Sequence, residues 1–266
     1  MAMFGLLVAA LIAGCGPASR PPAATTGPYA EPAAEPSSAD RAVTAADELV
    51  LRWRLVGGIA GRGGPGTFPD FSLYGDGRAI VPKPAAETGL REYRLRPAAL
   101  RRLIEDARAA GLERSRTAEQ PGIADAFTME ITFGRARTRI AVAGPGESDR
   151  AVRFARERLD PSRWAPSDQA APVRPYEAAR LAVLAVPAGS MQGRKARPWP
   201  IGALGDGAAV RGERCTILSG REASSASRLA PAALPGNRWS SAGKVYVVRL
   251  RPLLPDEGGC ADVQGS

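Results

Sequence analysis

Between residues 49 and 55 the chain places Leu49, Leu51, Trp53 and Leu55 at alternate positions, with Arg52 and Arg54 between them. A period of two belongs to a strand with one face buried and the other wet. The same period returns in Phe127, Met129, Ile131 and Phe133, and, after a Gly134-Arg135 turn, in Thr138, Ile140 and Val142. These two runs predict a hairpin. A second hairpin is predicted around Tyr74-Gly75-Asp76-Gly77-Arg78, because Asp-Gly accepts the positive φ angles of a tight turn and residues 78–81 can return as the partner strand. Residues 91–95 read as a further short strand.

Twice the spacing becomes helical. Pro97 suits a first helical position, Leu100, Leu103, Ile104 and Ala107 form one apolar face, and Gly111 stops the run. Arg101/Glu105 and Arg102/Asp106 are spaced to pair on the outer face. A second helix, with Ser148 as its expected N-cap, carries Val152, Ala155 and Leu159 inward and ends before Pro161. Strands, helix, hairpin and helix over residues 47–164 predict an α+β domain whose antiparallel sheet has helices packed on one face. Residues 165–175, polar and rich in proline, are expected to link it to a second small α+β domain at 176–266. There Leu181 to Val186 is apolar on both faces, as in a central strand. Residues 214–218 and 244–251 read as strands, with Tyr246, Val248 and Leu250 on one face, and 222–233 as a weak helix broken by Pro231.

Gly61-Arg62-Gly63-Gly64-Pro65-Gly66 has the G-x-G-x-x-G spacing of a dinucleotide-binding loop. That chemistry needs a helix after the glycines, so that its N-terminus faces the pyrophosphate. Pro65 and Pro69 oppose a helix and Phe71-Ser72-Leu73-Tyr74 reads as a strand, so the segment is expected to be a mobile loop between two strands. No cofactor is expected.

The N-terminus bears on location. Leu6 to Ile12 is an apolar run too short to span a bilayer and of the length of a signal-peptide core. It leads into Ile12-Ala13-Gly14-Cys15, which resembles the lipobox of bacterial lipoproteins. The resemblance implies that residues 1–14 are removed, that Cys15 is acylated, and that the protein is held outside the cytoplasm on the bacterial cell membrane. Met1 to Gly5 has no Lys or Arg, so the usual positive charge comes from the terminal amine or from sequence upstream. Residues 15–46, mainly Pro, Ala, Ser, Thr and Gly, cannot offset the entropy of ordering and read as a tether.

If Cys15 carries lipid, Cys215 and Cys260 remain as a pair in an oxidising compartment, and a disulfide between them is expected. The formal charge is +9, but nearly all of it is arginine spread along the chain, which argues against a nucleic-acid stripe. The chain has no histidine. That excludes Ser-His-Asp and Cys-His catalysis and every His-ligated metal site. Ser241-Ala242-Gly243-Lys244 matches S-x-x-K, but Gly243 leads into a strand where that chemistry needs a helix. Asp256-Glu257 is a carboxylate pair with the composition of a glycosidase centre, on a proline-flanked loop. Trp164, Trp199 and Trp239 fall in loops or at element ends; they are the candidate binding anchors, and the reading preferred for them is that they plug satellite cores of the small second domain.

The first domain, with "FSLYGDGRAIVP", "YRLRPAALRRLIEDARAAGL" and "FTMEITF", resembles uncharacterised domains of secreted bacterial proteins, especially actinobacterial lipoproteins. The second, with "RCTILSG" and "RWSSAGKVYVVRLRPLLPDE", resembles the C-terminal part of the same proteins. The resemblance implies location and architecture, with no catalytic residue. The expected function is non-catalytic binding of an envelope protein, a peptide or an anionic wall polymer. A wall-acting enzyme and a structural spacer are the alternatives.

Overall fold

A computed structural model describes residues 46–58, 61–84, 89–119, 126–142, 148–189, 196–229 and 238–265. The expected signal peptide, Cys15 and all but the last residue of the expected tether lie outside these. The architecture is α+β, with two sheet bodies.

The first sheet has eight strands in the order β5-β7-β6-β1-β2-β3-β4-β8. They are β1 Leu49–Gly57, β2 Phe71–Tyr74, β3 Arg78–Pro82, β4 Leu90–Leu95, β5 Arg116–Ala118, β6 Phe127–Phe133, β7 Ala136–Val142 and β8 Gln169–Pro175. All neighbours pair antiparallel except β5 and β7. Two helices, α1 Pro97–Ala109 and α2 Arg150–Arg158, bury their apolar stripes on one face, where Leu103 and Phe154 join Leu51, Leu73 and Ile131 in a single core.

The second sheet runs β10-β13-β14-β9-β12-β11, with β9 Arg180–Pro187, β10 Arg197–Pro198, β11 Ala208–Val210, β12 Glu213–Ser219, β13 Arg238–Ser241 and β14 Lys244–Pro252. Its one parallel pair is β10 with β13. Strand β9 is internal, which explains its two-sided apolar sequence. One face packs with α3, Gly220–Ser227, around Val183, Trp239, Tyr246 and Val248. The other buries Leu184, Val210 and Leu253 against the C-terminal 3₁₀ turn at Cys260–Val263.

Four local expectations are corrected. Residues 165–175 are not a linker: a 3₁₀ turn leads into β8, which hydrogen-bonds to β4 as an edge strand where Pro172 and Pro175 need no ladder partner. The N-cap of α2 is Asp149, whose carboxylate accepts from the Ala151 N–H at 2.8 Å. On α1, Arg102 and Asp106 pair with Asp168 and Arg158 from elsewhere in the fold. Helix α3 covers Gly220–Ser227, beginning two residues before the expected 222–233, of which residues 230–233 lie outside the described residues.

The glycine segment is docked rather than loose. The Gly66 N–H bonds the Val263 carbonyl at 2.8 Å, and a Cβ on Gly66 would lie 2.4 Å from the Leu184 side chain. Its φ of +75° adds a second reason for glycine. The loop thus bridges the first sheet to the second.

Candidate functional site

The site begins with two alternations, Arg52/Arg54 in β1 and Arg137/Arg139 in β7. Strand β6 lies between them. Arg52 is opposite Thr132, and Thr132 is opposite Arg137; Arg54 is opposite Glu130, and Glu130 is opposite Arg139. Facing residues share a side of the sheet. Two parallel rows result, Arg52-Thr132-Arg137 and Arg54-Glu130-Arg139, about 7 Å apart along the strands. They lie on the face opposite the helices and floor a cleft of about 650 Å³.

The rows are filled differently. Glu130 accepts from Arg54 Nε at 2.9 Å and from an Arg139 terminal nitrogen at 3.1 Å, so one carboxylate bridges two guanidiniums. Thr132 takes the equivalent place in the other row and carries no charge. Arg52 turns toward β2, donating to Ser72 Oγ at 2.9 Å, to the Tyr74 hydroxyl at 3.3 Å and to Asp256 at 2.8 Å. Arg137 is exposed and its guanidinium has no ion-pair partner among the described residues.

The C-terminal segment forms a wall. Arg251 and Glu257, 2% and 4% exposed, make a two-point ion pair; Glu257 also accepts the Leu254 N–H at 2.7 Å, and Phe68 stacks 4.7 Å from the Arg251 guanidinium. Asp262 accepts from the N–H groups of Gly258 and Gly259 at 2.7 and 2.9 Å. The Cys215–Cys260 disulfide ties this segment to β12.

Protonation follows from burial. Burial opposes the charge on Arg52, but Asp256 and Tyr74 beside it outweigh that and raise its pKa. Burial pushes the Tyr74 phenol far above its ordinary range; Arg52 opposes the shift and Asp256 adds to it. Tyr74 therefore remains an O–H donor at any working pH, and Asp256 receives both of its neighbours' hydrogens.

The predicted candidates fall elsewhere or into other roles. Ser241 and Lys244 pair directly across the β13–β14 hairpin, with Ala242 and Gly243 as its two turn residues at φ +49° and +73°. Ser241 Oγ accepts the Leu204 N–H at 3.1 Å and Lys244 is exposed, so the helical S-x-x-K geometry does not exist here. Asp256 and Glu257 do line the cleft, but they diverge to Arg52 and Arg251. Trp199 and Trp239 are core residues, 8% and 3% exposed and stacked edge to face at 5.2 Å, which removes them as surface anchors. Trp164 packs edge-on against Phe71 and Tyr93 and donates its indole N–H to the Arg158 carbonyl. No group of three or more His, Cys, Asp or Glu among the described residues is placed to hold a metal ion.

Comparison with protein-family models, with curated proteins and with solved structures gives no match for this chain. Sequence reasoning missed the two rows, although their signal was visible: "LRWRL" and "ARTRI" both set arginine at alternate positions, and "FTMEITF" sets Glu130 and Thr132 likewise.

Proposed function

We propose that this chain is a lipid-anchored, extracytoplasmic protein of the bacterial envelope that acts by binding and has no catalytic centre, in keeping with its resemblance to actinobacterial lipoproteins. The observation that carries the reading is how the charges of the cleft are spent. Each carboxylate is committed: Glu130 to two arginines, Asp256 to Arg52 and Tyr74, Glu257 to Arg251, and Asp262 to backbone N–H groups. A general acid or base needs a carboxyl group free to exchange its proton with substrate. Among the described residues Arg137 is the cleft arginine whose guanidinium has no ion-pair partner, which suits recognition of a partner. The Cys215–Cys260 disulfide supports an oxidising compartment, and the lipobox-like Ile12-Ala13-Gly14-Cys15 supports the anchor.

The test has two arms. Fractionation of cells expressing Cys15→Ser should move the protein out of the membrane fraction; retention there would sink the anchor. Crosslinking on intact cells through a photoreactive residue at Arg137, followed by recovery of the membrane-anchored chain, should yield an adduct that the same probe at exposed Lys244 does not give.

A further inference from the structure

The two rows of the cleft floor are the same construction with one difference. In the row Arg54-Glu130-Arg139 a carboxylate stands above the middle strand and joins the flanking guanidiniums. In the row Arg52-Thr132-Arg137 the middle residue ends in a hydroxyl, and Arg137 has no ion-pair partner among the described residues. Five arginines and four carboxylates line the cleft, and among the described residues Glu130, Asp256 and Glu257 are each ion-paired to arginines other than Arg137 while Asp262 accepts from backbone N–H groups, so the charge left over sits at Arg137.

From this built-in template we infer that the position above Thr132 beside Arg137 is a subsite for a phosphate oxyanion of the ligand. A guanidinium presents parallel N–H donors in a planar fork that matches phosphate, and the Thr132 hydroxyl donates to a further oxygen of the same tetrahedral group. The Arg137 end of the row is exposed and Thr132 is half-buried. Asp256, Asp262 and Gly265, with Thr67 and Pro69, line the cleft of about 650 Å³, which leaves room for a phosphate group and the chain that carries it. The ligand class is accordingly a soluble phosphate-bearing polymer. This rests on the reading of the cleft as the binding surface.

The experiment is calorimetric titration of the full chain, disulfide intact, with polyphosphate of defined length, and in a parallel arm with glycerophosphoglycerol, the deacylated form of a lipid headgroup. Arg137→Gln should weaken polyphosphate binding about tenfold or more, the loss expected for one charge-assisted contact. Thr132→Glu installs in the open row the carboxylate that Glu130 supplies in the other, and should abolish binding while the thermal transition is unchanged or raised. Tighter binding of polyphosphate than of glycerophosphoglycerol supports the polymer as source, and the reverse order overturns that assignment in favour of a headgroup. Binding that ignores both substitutions, or no binding at all, overturns the subsite. The crosslinking test at Arg137 stands apart from this, since a protein partner captured there would uphold the binding role while the phosphate subsite fails.

Discussion

The Tyr74 hydroxyl donates to Asp256 at 2.7 Å across 182 positions of sequence, joining the end of β2 to the segment that follows β14. The phenol is buried and stays protonated, so the contact is a neutral donor on a charged acceptor. Tyr74→Phe keeps the ring and removes only the donor. It should lower stability by about 1.5 kcal/mol, read as a smaller urea midpoint with unchanged slope. A shift within error would mean that Arg52 alone satisfies Asp256.

Arg251 and Glu257 make the stronger demand on the fold. Both are buried, so removing one partner leaves an uncompensated charge out of water. Glu257→Gln is expected to cost about 3–5 kcal/mol, whereas the double change Arg251→Met with Glu257→Leu should cost far less, because neither charge then remains. Denaturant unfolding of the single and double variants measures the difference. Equal losses would show that hydration reaches the pair.

Asp149 ties a titration to a helix end. Its partial burial would raise the carboxyl pKa, but hydrogen bonds from Arg116 at 2.6 and 2.8 Å and from the Ala151 N–H prevail and lower it. A depressed carboxylate stabilises the folded state above its unfolded pKa and loses that contribution as pH falls through the folded value. Stability should thus drop on acidification below about pH 4, the ordinary range of aspartate. Asp149→Asn keeps an N-cap acceptor without the charge, and its stability should fall less over the same interval.

The Cys215–Cys260 bridge closes a separation of 45 residues, for which the chain-entropy model gives about 4 kcal/mol. Replacing both cysteines with serine should lower stability by about 2–4 kcal/mol. The segment carrying Asp256 and Glu257 is held by the bridge, so limited proteolysis should cut first near residues 255–262 in the reduced variant. Cleavage elsewhere first would place the weak point outside this wall.

The sequence by itself determined the elements whose causes are local. The alternation at 49–55 and 127–142, the helix stop at Gly111 and the Asp76-Gly77 turn each depend on neighbours a few positions away, and all appear where their patterns lie. The pairing of Cys215 with Cys260 is expected from the sequence and is present, and the missing histidines narrow the chemistry without any structure. Tertiary structure decided the rest. A period of two says that Arg52, Arg54, Arg137 and Arg139 face away from the core, but strand order and register alone make rows of them around Glu130 and Thr132. The strand character of residues 169–175 also arises from a neighbour, β4, since an exposed proline-rich edge has no periodicity of its own to read. Trp199 and Trp239 look like loop residues because the β10–β13 and β13–β14 pairings that bury them join distant or short segments. Asp256 and Glu257, adjacent in sequence, separate toward Arg52 and Arg251 because the chain turns between two sheets. Asp256 is held by Arg52, 204 positions away, which leaves no local signature, and Glu257 by Arg251, six positions away across the end of β14.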